Sequence, residues 1–164
     1  MYTATDLMVL EIAKLKIDQE SIGIAFPDDG AHKRYSSQFG NLDNIICNKV
    51  RKGNERIVTI REGEVKDRHV FIIDDLVHSG GTLIECAKVI KSQGAKSIHA
   101  FCAHAIFEGA AWKKFADGGP GSIFDTFYIT DTHPMAHTLR TIKPFKVLTI
   151  APLLVPILTD TELQ

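Results

Sequence analysis

Apolar residues recur along this chain in short runs separated by polar turns. Leu7, Leu10, Ile12 and Leu15 fall at helical spacing behind Thr3-Ala4-Thr5-Asp6, a capping sequence, and predict a helix over 7–15. Ile22–Phe26 is a buried-strand pattern stopped by Pro27; a turn, Pro27-Asp28-Asp29-Gly30, then leads into a short helix over 31–39. Ile45–Cys47 reads as a second strand. Asn48–Arg56 is polar and basic with no apolar period, which predicts a loop. Ile57–Ile60 reads as a strand, and His69–Ile73 as the central strand. The latter carries the run Val70-Phe71-Ile72-Ile73 and ends in two adjacent carboxylates, Asp74 and Asp75. After a short turn, a helix over 81–93 closes at Gly94. Strands at 97–104, 124–130 and 146–150 follow, with a short helix over 109–115. Strands alternating with helices imply an α/β fold: a mostly parallel five-stranded sheet flanked by helices, in a single domain over 1–164.

Composition narrows the function without naming it. The 164 residues are 45% hydrophobic and 24% charged, with a net charge of −1, so no global field attracts nucleic acid or an anionic membrane. The longest apolar run, Ile150–Leu158, is broken by Pro152 and Pro156 and is too short to span a bilayer. Three scattered cysteines, Cys47, Cys86 and Cys102, fit a reducing compartment such as the cytoplasm rather than a disulfide framework.

The chemistry concentrates after the central strand. His78-Ser79-Gly80-Gly81-Thr82 opens a helix, so backbone N–H groups, hydroxyls and the helix dipole can converge on a phosphate. Asp74 and Asp75 stand at the carboxyl side of that strand, where open α/β sheets bind ligands. Like charges so close need a cation, donors or water, which ribose hydroxyls or Mg²⁺ would supply. Alone, such a pair could equally cap the next helix. The second acidic turn, Asp28-Asp29-Gly30, also follows a strand and could face the same crevice. The basic stretch with Lys49, Arg51, Lys52 and Arg56 is either a solvated loop or an arm supplying cations to a phosphoryl group in transit.

Several segments together resemble ribose-phosphate pyrophosphokinases, within the type I phosphoribosyltransferase superfamily. These are VFIIDDLVHSGGT (70–82), FPDDGAHKR (26–34), NKVRK (48–52), GEVKDR (63–68), HAIF (104–107) and TDTHP (130–134). Their order and spacing agree over about Ile22–Ile150, and the wording is nearest to the plant-type, class II enzymes. The resemblance implies Lys49 and Arg51 as catalytic residues, and Asp74 and Asp75 on the ribose hydroxyls. It puts His78, Ser79, Gly80, Gly81 and Thr82 on the 5-phosphate. Asp28, Asp29 and Gly30 fall on the pyrophosphate side, with Asp28 placing Mg²⁺. Only the C-terminal half of such an enzyme is represented. The implied partners are ribose 5-phosphate or phosphoribosyl pyrophosphate (PRPP), with ATP only if another half or subunit completes the site. A homodimer or a synthetase partner is expected. His78 stands where many members have Asp.

Overall fold

A computed structural model of the chain describes residues 3–52 and 55–160; for residues 49–52, 55, 56 and 156–160 only the backbone course is described. Helix α1 (Ala4–Lys14) starts where Asp6 accepts the Thr3 backbone N–H, 2.7 Å away. Its buried face is Leu7, Met8 and Ile12, whereas Leu10 and Leu15 of the expected stripe stay exposed. Strand β1 (Ile22–Phe26) leads into α2 (Asp29–Tyr35), which Asp28 caps by accepting the Ala31 N–H. Strands β2 (Asp43–Lys52) and β3 (Glu55–Glu62) form an antiparallel hairpin. Then come β4 (His69–Val77), α3 (Gly81–Ser92), β5 (Ser97–Ala105), β6 (Thr126–Thr130), α4 (Met135–Leu139), β7 (Phe145–Leu148) and α5 (Ala151–Asp160).

The sheet has seven strands in the order β3-β2-β1-β4-β5-β6-β7, with every neighbouring pair parallel except β2–β3. All seven segments read as strands join it, so among the described residues the expected five-stranded sheet is corrected to seven strands. The largest departure is the expected loop over 48–56, which builds the hairpin instead: its chain pairs Lys49 with Val58 and Arg51 with Arg56. Polar composition misled there because this stretch runs past the carboxyl end of β1. Cys47–Lys52 pair only with β3, since β1 pairs with β2 only as far as Ile46. The hairpin still joins the core through Cys47 and Val58, which are buried there, but its outer stretch has a paired neighbour on one side only and shows no apolar period. The expected helix over 109–115 is a short 3₁₀ turn, Ala111–Lys114.

Successive β4 residues Val70 to Ile73 are fully buried, because both sheet faces are covered. Ile72, Ala100 and Phe127 meet Leu83, Ile84, Ala87 and Ile90 of α3 and the phenylalanines that follow β5. Phe71, Ile73, Phe101 and Tyr128 meet α1, Ala31 of α2 and Phe39. From β1 the chain steps through α2 to β2 in one direction; from β4 it steps through α3 to β5 in the other. The crevice between the carboxyl ends of β1 and β4 is thus a topological switch point, where such sheets place ligands.

Candidate active site

Uneven strand lengths open that crevice. β1 pairs with β4 only up to Ala25–Ile72, while β4 runs on to Val77 against β5. Asp74 and Asp75 therefore lie within β4 rather than just beyond its end, on the stretch that has lost its neighbour on the β1 side. Asp74 accepts the Asp75 backbone N–H at 3.0 Å. Burial pushes the Asp74 carboxyl up to about 7, and the negative charges of Asp75 and Asp28 add to the effect. Asp28, at the start of α2, and Asp74, within β4, thus sense each other. Across the ladder Asp74 faces Cys102 of β5, whose fully buried thiol is raised by burial first and then by both carboxylates.

Helix α2 overlooks the same crevice. Arg34 Nη2 stands 3.4 Å from Asp75 Oδ2, and its guanidinium lies 5.5 Å from the Tyr35 ring centre. Burial, then Asp75, raises the Tyr35 phenol above its ordinary range. In the acidic turn, Asp29 pairs with Arg61 of β3 at 2.6 Å. A Cβ at Gly30 would come within 3.2 Å of Asp28 Oδ1, so a larger residue there would crowd that carboxylate.

The turn after β4 lines a cleft of about 150 Å³, formed by Asp74 and residues 76–83. Gly80 adopts φ 76°, ψ −2°, the left-handed conformation open to glycine. No side chain caps α3, so its first-turn N–H groups remain available to an anion. The connection after β5 supports this turn from outside. Val77 O accepts the N–H groups of Ile106 and Phe107, His78 Nδ1 lies 3.4 Å from Glu108 Oε2, and Lys114 Nζ donates to Ser79 O at 3.1 Å. Phe115 packs directly beneath Gly80.

Among the described residues no group of three or more His, Cys, Asp or Glu side chains could hold a metal unaided. The acidic crevice fits Mg²⁺ of another kind, since that ion commonly takes one or two carboxylates and completes its shell with phosphate oxygens and water. A cation there would also relieve the suppressed ionisation of Asp74.

The model of the phosphoribosyl transferase domain family matches residues 12–125. The chain belongs to this family. A chloroplastic ribose-phosphate pyrophosphokinase 3 of Oryza sativa subsp. japonica is 46% identical over 138 residues, covering 82% of this chain and 34% of the relative. The chloroplastic enzyme of the same name in Arabidopsis thaliana is 48% identical over 140 residues, with the same coverage. A ribose-phosphate pyrophosphokinase of Campylobacter jejuni is 37% identical over 127 residues, covering 76% of this chain and 40% of the relative. The chain spans about a third to a half of the length of the curated relatives it matches. In fold it is similar to phosphoribosylpyrophosphate synthetase from Mycobacterium smegmatis, with TM-score 0.72, 22% identity, and 96% of this chain and 50% of that one covered. It is also similar to adenine phosphoribosyl transferase from Trypanosoma brucei, with TM-score 0.54, 15% identity, and 87% and 60% covered. The motif resemblance to ribose-phosphate pyrophosphokinases is borne out by these relatives.

Within this phosphoribosyl transferase domain, Asp28, Asp74, Asp75 and residues 78–82 gather at one crevice. Lys49 and Arg51 lie on β2, in the part of the hairpin that continues past the carboxyl end of β1; their side chains fall outside the described atoms. Four further residues come to the site that had been given no role in it: Arg34, Tyr35, Glu108 and Lys114. Arg34 was within reach as the last residue of FPDDGAHKR. Glu108 and Lys114 were not, because their link to the turn is purely tertiary.

Proposed function

We propose that this domain forms the ribose-phosphate side of a PRPP-synthesising site. The reaction is transfer of the β,γ-diphosphate of MgATP to the C1 hydroxyl of ribose 5-phosphate, giving PRPP and AMP. One observation carries the reading: the acidic turn after β1, the acidic pair within β4 and a phosphate-sized glycine cleft converge on one switch-point crevice. Asp74 and Asp75 hold the ribose hydroxyls, and His78 to Thr82 take the 5-phosphate. Asp28, Asp29 and Gly30 form the pyrophosphate side. Lys49 and Arg51, on the projecting hairpin, stabilise the charge of the transferring group, which is the main demand of phosphoryl transfer. Mg²⁺ at Asp28, when bound, screens the diphosphate. ATP contacts come from another half or subunit, which accords with the share of the relatives' length spanned here. A homodimer or a synthetase partner supplies them. Three buried thiols fit a reducing compartment, either the cytoplasm or the organelles named for the plant relatives.

The same shortfall in length favours a second reading, a sugar-phosphate-binding module that regulates a partner synthetase. AMP formation from MgATP and ribose 5-phosphate separates the two, measured with the chain alone and with a full-length relative added. AMP from the chain alone sinks the regulatory reading. No turnover, with calorimetric ribose 5-phosphate binding that Asp74→Ala abolishes, leaves binding and removes autonomous synthesis.

A further inference from the structure

The glycine turn contains no lysine or arginine; among the described residues, an ammonium reaches its backbone from 35 residues away. Lys114 ends the 3₁₀ turn Ala111–Lys114 and donates to the carbonyl of Ser79 at 3.1 Å. A trans peptide is planar, so the Ser79 C=O and the Gly80 N–H point in opposite directions. Whatever draws that carbonyl to one side turns the Gly80 N–H to the other, and Gly80 is among the residues that line the cleft. Gly80, at φ 76°, has no Cβ to oppose rotation of this peptide, so the turn's own sequence does not fix it. Phe115, the next residue after Lys114, fills the space under Gly80: a Cβ there would collide with its ring carbon Cζ. The adjacent Lys113 is spoken for elsewhere, 5.8 Å from the Trp112 ring centre.

We propose that Lys114 is a positioning residue of the phosphate cleft. Its ammonium holds the Ser79–Gly80 peptide with the carbonyl out and the N–H in, and polarises that N–H as a donor to the ligand's phosphate. This rests on the reading of the cleft as the 5-phosphate site. Lys114 reaches no reacting atom; it acts through one backbone amide.

The test uses the full chain with Lys114→Met, which keeps the stem length without the charge, and Lys114→Arg, which restores a cation. Calorimetry with ribose 5-phosphate should show binding weakened about tenfold in Lys114→Met and recovered to within about twofold in Lys114→Arg, with melting temperatures close to wild type. In ligand-free protein, the Gly80 amide resonance should move in Lys114→Met and return in Lys114→Arg. Wild-type affinity and an unmoved Gly80 amide in Lys114→Met overturn the proposal. Should Lys114→Met prove unstable, failure of Lys114→Arg to preserve both the amide position and the affinity overturns it equally. Absence of ribose 5-phosphate binding in the wild type is a different failure, that of the functional reading, and it shows before any variant is made.

Discussion

The fold opposes the ionisation of Asp74. Its carboxyl sits near 7, whereas an unfolded aspartate ionises near 4. Between those values the unfolded chain has already released its proton and the folded chain has not. Asp74 therefore contributes its stability at low pH and loses it as pH rises towards 7. The full interval corresponds to a ceiling of about 4 kcal/mol, and solvent access to a half-buried side chain reduces the expected effect to about 1–2 kcal/mol. Asp74→Asn should thus stabilise the protein at pH 8 much more than at pH 5, read by denaturant unfolding; equal gains at both would refute this account. His99 behaves oppositely. Burial first, with His69 adding repulsion against the attraction of Asp125, lowers its pKa; Lys96 bears on the adjoining His69. The ring stacks on Phe71 at 4.6 Å, shares the Ser97 hydroxyl with His69, and leaves Nδ1 buried without a partner. The stability it confers is present above about pH 6.5 and falls as the solution is acidified below that, because the unfolded imidazole takes up its proton first. His99→Gln should flatten the melting temperature across pH 5–6.5, a slope that thermal scans measure directly.

At the scale of elements, the turn between β4 and α3 is held by conformation and by a ring. Gly80→Ala meets both a left-handed backbone and Phe115, and should cost about 2–3 kcal/mol in chemical denaturation. A shift under 1 kcal/mol would mean that Phe115 yields freely. The outer end of the β2–β3 hairpin poses a different question, because Lys49 and Arg51 stand on the stretch that runs past the end of β1. Lys49→Ala or Arg51→Ala should leave the melting temperature within about 2 °C, yet lower turnover in the completed synthetase by roughly 100-fold or more. Unchanged turnover removes the hairpin from the chemistry. These elements also show what could be read in advance. β1, β4, β5 and α3 were legible because burial on both faces, or on one stripe, writes a period into the sequence. The acidic turns were legible as motifs. The outer hairpin, read as a loop over 48–56, was not, since it pairs on one side only and shows no such period; its inner parts at 45–47 and 57–60 were read as strands. Helix α5 was not, because Pro152 and Pro156 look like breakers; Pro152 is tolerated in the first turn, where its missing N–H would have no helical partner. The support from Glu108 and Lys114 joins segments that only the folded chain brings together.

The whole molecule is tied to its site by aromatic packing. Phe127 of β6 lies 5.0–6.0 Å from the rings of Phe107, Phe115, Phe124 and Phe145, and Phe115 is the floor under Gly80. Phe127→Ala should cost about 3–5 kcal/mol and weaken ribose 5-phosphate binding with it. Loss of stability with affinity intact would show the two to be separable. The facing of Cys102 and Asp74 across β4 and β5 has a consequence of another sort. It gives the sheet a built-in chemical clock. A thiol that is fully buried and held protonated reacts with an alkylating reagent only when these two strands part, so mass-spectrometric labelling at Cys102 times that parting. Any ligand that fastens on Asp74 should slow the clock, and the slowing can be read without turnover, without a partner and without a mutation.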